Sequence, residues 1–221
     1  MFSRKKDKFT AIKLYSIDDE QSKIDRPILV QRILEFFESD LNGAPKEFDI
    51  HGPYGISKGQ TIGIRAFKNK LEQKGHDEYY GLDGTTENHS GFNILFNAPI
   101  GNNFYTELII WCNSALLDFD LKFCATQLTQ IFPISCGFEI EFGSQHQITS
   151  EDLTRKRWFG SQGNQISYKH LEWIQDFSNG EIRTNSKNSL LSKGQLDKLQ
   201  LSDRSLKYSP IGNLYLVEGV I

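Results

Sequence analysis

Long apolar runs are missing from this sequence of 221 residues. A helix that spans a bilayer needs roughly 20 consecutive apolar residues, and no stretch comes near that length. Residues 1–8 are basic, but no apolar segment of the length found in a signal peptide follows them. Because 38% of the residues are hydrophobic, the chain carries enough apolar surface for a packed core. We therefore expect one cytoplasmic domain over residues 1–221, with no membrane partner.

Cysteine is scarce, with three residues, Cys112, Cys124 and Cys136. An odd number cannot pair completely, and their even spacing of twelve residues differs from the short paired spacing of a zinc site. Each lies in or beside a strongly apolar segment, where free cysteine behaves as a small hydrophobic residue. We expect three buried free thiols in a reducing compartment.

Motifs for cofactor binding are also missing. The sequence contains no phosphate-binding glycine loop and no dinucleotide fingerprint. Its five histidines include no i, i+4 pair of the kind that binds zinc from one face of a helix. We therefore expect a protein that is not an enzyme, has no catalytic residue and no metal ligand, and needs no cofactor.

A metal site near the middle of the chain is the alternative. His76 and His89 flank an acidic segment, and they could hold a metal ion together with Asp77, Glu78 or Asp83. The chain would then be a small metal-dependent hydrolase that uses the acidic loop between the two histidines.

Cations are missing from the same region, because no Lys or Arg occurs between Lys74 and Lys122. Residues 75–154 carry one basic and 11 acidic side chains, a net charge of -10, whereas residues 1–74 carry +3 and residues 155–221 carry +4. Such segregation creates a negative field, which repels nucleic acid and attracts a basic partner. An acidic face that only keeps the protein in solution is the alternative.

The densest apolar residues lie between positions 92 and 142, and they predict a hairpin, a helix and a strand. The hairpin strands are expected at 92–98 and 104–112, and alternation predicts a third strand at 138–142 with its glutamates toward solvent. Asp118 or Asp120 can cap the helix between them. One face of that helix carries Leu121, Cys124, Ala125, Leu128, Ile131 and Phe132.

The order of strand, helix and strand also occurs earlier in the chain. Residues 9–16 and 46–50 have strand patterns, and Pro27 with Asp25 before it marks the start of a helix between them. Further elements are expected as a strand at 61–67, a helix from Ser167 to Phe177, a short helix within 190–201 and a strand at 214–220. This order predicts an α+β fold: a mostly antiparallel sheet with helices packed on one face, built from two related β-α-β halves, 1–74 and 75–221.

Residues 75–91 combine acids, glycines and two adjacent tyrosines, which predicts an exposed loop or a short edge hairpin. Tyrosine offers a large contact area at low entropy cost, and the acids would attract a basic partner. The predicted partner-binding residues are Asp77, Glu78, Tyr79, Tyr80, Asp83 and Glu87.

Several stretches taken together resemble a known family. They are Glu107-Leu108-Ile109-Ile110-Trp111, Ile131-Phe132-Pro133 before a Gly-Phe-Glu-Ile strand, the isolated Trp158 and Trp173, and the terminal Gly212-Asn213-Leu214-Tyr215-Leu216. In this order they resemble the immunity proteins of bacterial polymorphic toxin systems, most nearly the group called immunity protein 52. The resemblance implies a protein without catalytic residues that binds and neutralises one cognate toxin in the cell that makes it. A scaffold subunit of a larger complex is a third alternative.

The charge distribution adds an expectation about the partner. A toxin that attacks nucleic acid must hold phosphates, so it is basic around its active site. The acidic middle of this chain would steer such a toxin toward it. We therefore predict a basic, nuclease-like cognate protein toxin as the partner, and no nucleic acid.

Overall fold

The computed structural model describes residues 9–18, 24–39, 41, 43–52, 61–74, 81–87, 90–100, 103–113, 120–130, 132–142, 186–202 and 206–219. Within these residues the chain forms ten strands and four helices, and all strand pairs are antiparallel. The predicted α+β class with a mostly antiparallel sheet is thus confirmed. No helix in this part of the chain is both long and apolar enough to cross a membrane.

The strands form one sheet in the order β3-β2-β4-β5-β6-β1-β7-β8-β10-β9. They are β1 (Phe9–Asp18), β2 (Glu47–His51), β3 (Ile62–Gly63), β4 (Gly81–Thr85), β5 (Gly91–Ile100), β6 (Asn103–Asn113), β7 (Cys136–Phe142), β8 (Asn188–Leu191), β9 (Lys207–Ile211) and β10 (Leu214–Glu218). The helices are α1 (Arg26–Ser39), α2 (Ile64–Lys74), α3 (Leu121–Leu128) and α4 (Lys193–Ser202).

Strand β1 lies in the middle of the sheet, hydrogen-bonded to β6 on one side and to β7 on the other. Its neighbours in space therefore come from residues 75–221, although β1 itself comes from residues 1–74. Both predicted strand-helix-strand units are present as β1-α1-β2 and β6-α3-β7, and the two strands of each unit run parallel to each other. Their strands interleave, so a division at residue 74 would separate β1 from both of its partners.

Alternation along the strands sorts the core into two layers. One layer, here the helix face, contains Ile12, Leu14, Leu108 and Ile110 together with the buried residues of α1, α2 and α3. The other layer, the opposite face, contains Ala11, Tyr15, Ile109 and Phe138 together with Leu196 and Leu199 of α4. The prediction that the helices pack on one face of the sheet therefore holds for three of the four described helices and is wrong for α4, which packs on the opposite face.

Local signals placed α1 and the start of α3 correctly, but α3 ends at Leu128, before Ile131 and Phe132 of its predicted face. The Asp25 side chain caps α1 by accepting a hydrogen bond from the Ile28 N–H (3.1 Å), and Asp120 caps α3 by accepting one from the Phe123 N–H (2.7 Å). The apolar residues of the α1 region, Leu29, Ile33, Phe36, Phe37 and Leu41, are buried, and so are Leu121, Cys124, Ala125 and Leu128 of the predicted face of α3. The three cysteines are buried free thiols, as predicted.

The strand predicted at 61–67 is wrong for most of its length. Residues 61–67 form only a two-residue strand before α2 begins at Ile64. Phe67 and Leu71, one helical turn apart on α2, are both buried, and the Phe67 ring stacks on the Phe48 ring of β2 with the centroids 4.2 Å apart. The short helix expected within 190–201 is present as α4, and residues 188–191 before it pair with β7 and β10 as a strand. The helix predicted from Ser167 lies outside the described residues.

The glutamates of β7 also differ from expectation. Glu141 is half-exposed, but Glu139 is only 1% exposed and faces the start of α3. It accepts hydrogen bonds from the Leu121 N–H (3.2 Å) and the Asn188 side chain (2.8 Å), and Lys187 Nζ lies 2.8 Å from its other oxygen. The prediction that both glutamates face solvent was therefore wrong for Glu139, since β8 and α3 cover that end of the strand.

Candidate functional site

The predicted partner-binding residues are only partly within the described chain. Asp77, Glu78, Tyr79 and Tyr80 lie outside it, as do His76 and His89 of the alternative metal site. Asp83 and Glu87 are described: Asp83 lies in the middle of β4, and Glu87 lies in the turn between β4 and β5. Nothing in the structure tests whether the first four contact a partner.

Residues 81–85 do not form an exposed loop or an edge. They are strand β4, which pairs with β2 on one side and β5 on the other. Glu87, by contrast, is exposed, and its carboxylate lies 2.6 Å from Lys46 Nζ, which is also exposed. An ion pair of this kind contributes little to stability and opens easily to admit another cation.

Asp83 belongs to a polar group on the opposite face of the sheet. Asp49 and His51 are two residues apart on β2 and point to the same side, and Asp49 lies directly opposite Asp83 on β4. His51 Nε2 contacts Asp83 Oδ2, and the Asn93 amide on β5 donates to Asp83 Oδ1. Three adjacent strands therefore fix the Asp83 carboxylate.

The group has the spacing of a ligand set. One nitrogen or oxygen from each of Asp49, His51 and Asp83 lies within 4.8 Å of the others. The side chains of His51 and Asp83 are 41% and 29% exposed, so solvent reaches the group. Opposite His51 the chain has Gly81, where a Cβ atom would lie 3.2 Å from the imidazole. The absence of a side chain at Gly81 gives the ring room to lie across β4 toward Asp83.

The charge state of His51 follows from these neighbours. The hydrogen bond that His51 donates to Asp83 raises the pKa of His51, partial burial opposes that rise, and the negative charges of Asp83 and Asp49 add to it. An imidazole between two carboxylates thus attracts a proton or another cation more strongly than a free histidine does.

Asp49 and His51 of this group were not singled out from the sequence. The stretch Glu47-Phe48-Asp49-Ile50-His51 alternates polar and apolar residues, which would have placed Glu47, Asp49 and His51 on one side of a strand. The pairing of β2 with β4 joins residues 32 positions apart, as in the His51 and Asp83 contact, and no local pattern predicts it. We name Glu47, Asp49 and Asp83 the acidic face, because these three carboxylates share one side of β2 and β4.

The acidity of residues 75–154 is only partly at the surface. Glu107 on β6 is buried, where it accepts a hydrogen bond from the Tyr15 hydroxyl (2.8 Å) and lies 4.0 Å from the buried Lys13 Nζ. Glu139 is likewise buried against Lys187. Both lysines come from outside residues 75–154, so the net charge of -10 overstates the negative field that this region presents.

A candidate serine motif is also present in the sequence. Residues 55–59 read Gly-Ile-Ser-Lys-Gly, the Gly-x-Ser-x-Gly pattern of a nucleophile elbow. They lie outside the described residues, and the first described helix after them, α2, follows another strand, β3. An elbow needs a helix directly after its serine turn. The pattern therefore supports no catalytic assignment.

Comparison with known proteins adds no family. No protein-family model and no curated protein matches the chain.

Proposed function

We propose that this chain is a binding protein of the immunity type, which holds and neutralises a basic protein toxin through an acidic surface. The observation that carries the proposal is the acidic face, where Glu47, Asp49 and Asp83 share one side of adjacent strands. The sequence places Asp77 and Glu78 a few residues before β4, in a region without any Lys or Arg. The resemblance to immunity proteins agrees with this reading.

Charge of this kind acts mainly on the rate of association. A negative surface steers a basic partner into productive encounters, and the effect weakens as salt screens the charges. A chain of this size can offer a standard interface of roughly 1,600 Å² in total, which suffices for tight binding when its centre is well packed. Tyr79 and Tyr80 would supply the aromatic contacts that such a centre needs.

The side-chain partners of the described contact residues divide them into two groups. Glu87, whose partner Lys46 is exposed, is available to a competing cation. Asp83 instead holds His51 and Asn93, so its role would be to shape the acidic face and contribute charge. For this reason a charge-removal test of the surface should leave Asp83 intact.

The experiment that tests the proposal is capture of the partner, followed by a neutralisation assay. The tagged chain is used as bait in extract from its native cell at about 50 mM and about 500 mM salt. We expect one stoichiometric, basic protein that is captured less efficiently at high salt. The purified partner should damage nucleic acid when this chain is absent, and the damage should stop when an equimolar amount of this chain is added. Absence of a stoichiometric partner, or a partner whose activity persists in the complex, contradicts the proposal.

A further inference from the structure

The group formed by Asp49, His51 and Asp83 offers the chemistry of a transition-metal site. Zn²⁺ binds one imidazole nitrogen and carboxylate oxygens at about 2.0–2.2 Å in a tetrahedral arrangement, which places its ligand atoms about 3.4 Å apart. The three side chains already have suitable atoms within 4.8 Å of one another. Small rotations of side chains that are in part solvent-exposed close the remaining gap. The nitrogen ligand favours this class of ion over Mg²⁺ and Ca²⁺, which prefer oxygen.

The surroundings hold the group in a fixed arrangement. All three residues lie on β2 and β4, which pair with each other at these positions, and β4 also pairs with β5 on its other side. Asn93, which would not be a ligand, donates to Asp83 Oδ1 and leaves Oδ2 directed at His51. Such hydrogen bonds from outside a ligand set orient the ligands of many metal sites. Gly81 keeps the space beside the imidazole free.

From this geometry we infer that Asp49, His51 and Asp83 bind a divalent transition-metal ion of the Zn²⁺ type. Three protein ligands leave at least one coordination position open to water or to a group from another molecule. The site differs from the one suggested by the sequence, because it shares Asp83 with that site but takes its histidine from β2 in place of His76 and His89. The site shares Asp49 and Asp83 with the acidic face, but its test is separate from that of the proposed function, because metal binding is measured without the partner.

The test is titration of the EDTA-stripped full chain with Zn²⁺ and with Co²⁺, by calorimetry and by the visible absorption of bound Co²⁺. We expect one ion per chain and a rise in thermal unfolding temperature when Zn²⁺ is present. Asp49→Asn and His51→Gln should each weaken binding by at least about 10-fold. Glu47→Gln is the matched control, because it removes a charge from the same strand and the same side without removing a ligand, and it should change affinity by less than about 3-fold.

Circular dichroism of each metal-free variant verifies that the sheet has formed. If Asp49→Asn or His51→Gln does not fold, Asp83→Asn takes its place as a ligand variant. Three results overturn the inference. The first is the absence of stoichiometric metal binding. The second is equal weakening of binding by Glu47→Gln and His51→Gln, which would indicate diffuse attraction to acidic residues. The third is loss of binding in His76→Ala while His51→Gln binds normally, which would place the ion in the segment before β4.

Discussion

A single glycine on β5 shows how tightly the strands approach each other at the residue scale. A Cβ atom at Gly91 would lie 2.3 Å from the backbone oxygen of Gly84 and 2.6 Å from the Trp111 ring. The backbone oxygen belongs to the neighbouring strand and cannot rotate away. The position therefore requires glycine for space, although its φ angle is not unusual.

Gly91→Ala is expected to destabilise the fold by about 1–3 kcal/mol, as overpacking does, because β4 must move away from β5. Gly194→Ala in α4 is the matched control, since no atom lies within 4 Å of its added Cβ. Alanine is the better helix former, so this change should be neutral or stabilising by up to about 1 kcal/mol. Urea unfolding measures both. Equal stability of the two variants would contradict the packing at Gly91.

The cysteines give a second prediction at the residue scale. Burial raises the pKa of the Cys112 and Cys136 thiols to about 12 and that of Cys124 well above its usual value. At pH 8 a thiol of pKa 12 is ionised in about one molecule in 10⁴, and the thiolate is the reactive form. The native chain should thus react with a thiol reagent at a rate set by unfolding, with all three thiols reacting in denaturant. Rapid labelling of the native protein would show that a thiol is accessible.

At the scale of elements, Glu139 of β7 connects its own strand with α3 and β8. Its carboxylate contacts the Leu121 N–H at the start of α3, the Asn188 side chain of β8 and Lys187 before that strand. A carboxylate at a helix N-terminus also interacts favourably with the helix dipole. The pKa of Lys187 is raised, chiefly by its hydrogen bond to Glu139.

Glu139→Ala should destabilise the fold by about 2–4 kcal/mol, because it leaves buried donors of α3 and β8 without a partner. Glu141→Ala is the control two residues along the same strand. Its carboxylate is 47% exposed and lies 3.5 Å from the same lysine, so we expect a loss below about 1 kcal/mol. Thermal unfolding of the two variants measures both losses of stability. A loss at Glu139 no larger than at Glu141 would show that the buried contacts of Glu139 contribute nothing.

Elements with local signals could be predicted from the sequence, and elements set by distant contacts could not. Asp25 and Asp120 mark the starts of α1 and α3, and the apolar periodicity gives their buried faces without knowledge of the rest of the chain. Helix α2 was missed because its buried residues, Phe67 and Leu71, are selected by packing against β2. The candidate site was found only in part for the same reason. Asp83 was singled out, whereas its partner His51 is brought to it by the pairing of two strands.

At the scale of the whole molecule, the sheet order determines where charge can act. Lys13 on β1 and Lys187 before β8 neutralise acids of the middle third within the protein, at Glu107 and Glu139. The acids that remain on β2 and β4 lie toward one end of the sheet, four and three strands from β1. The proposed interaction therefore depends on a local acidic surface and not on the summed charge of residues 75–154.

The measurement that tests this account most directly is the association rate of the chain with its captured partner, followed by stopped-flow from about 50 to about 500 mM salt. Glu47→Gln combined with Glu87→Gln removes two exposed charges from the proposed surface. Glu38→Gln combined with Glu218→Gln removes two exposed charges at the ends of α1 and β10.

We predict that the first pair slows association about 3- to 10-fold at low salt, that the difference disappears at high salt, and that the second pair associates at the wild-type rate within about 2-fold. Equal rates for the two pairs, or a wild-type rate that does not change with salt, would contradict an acidic surface on β2 and β4 as the place where the partner binds.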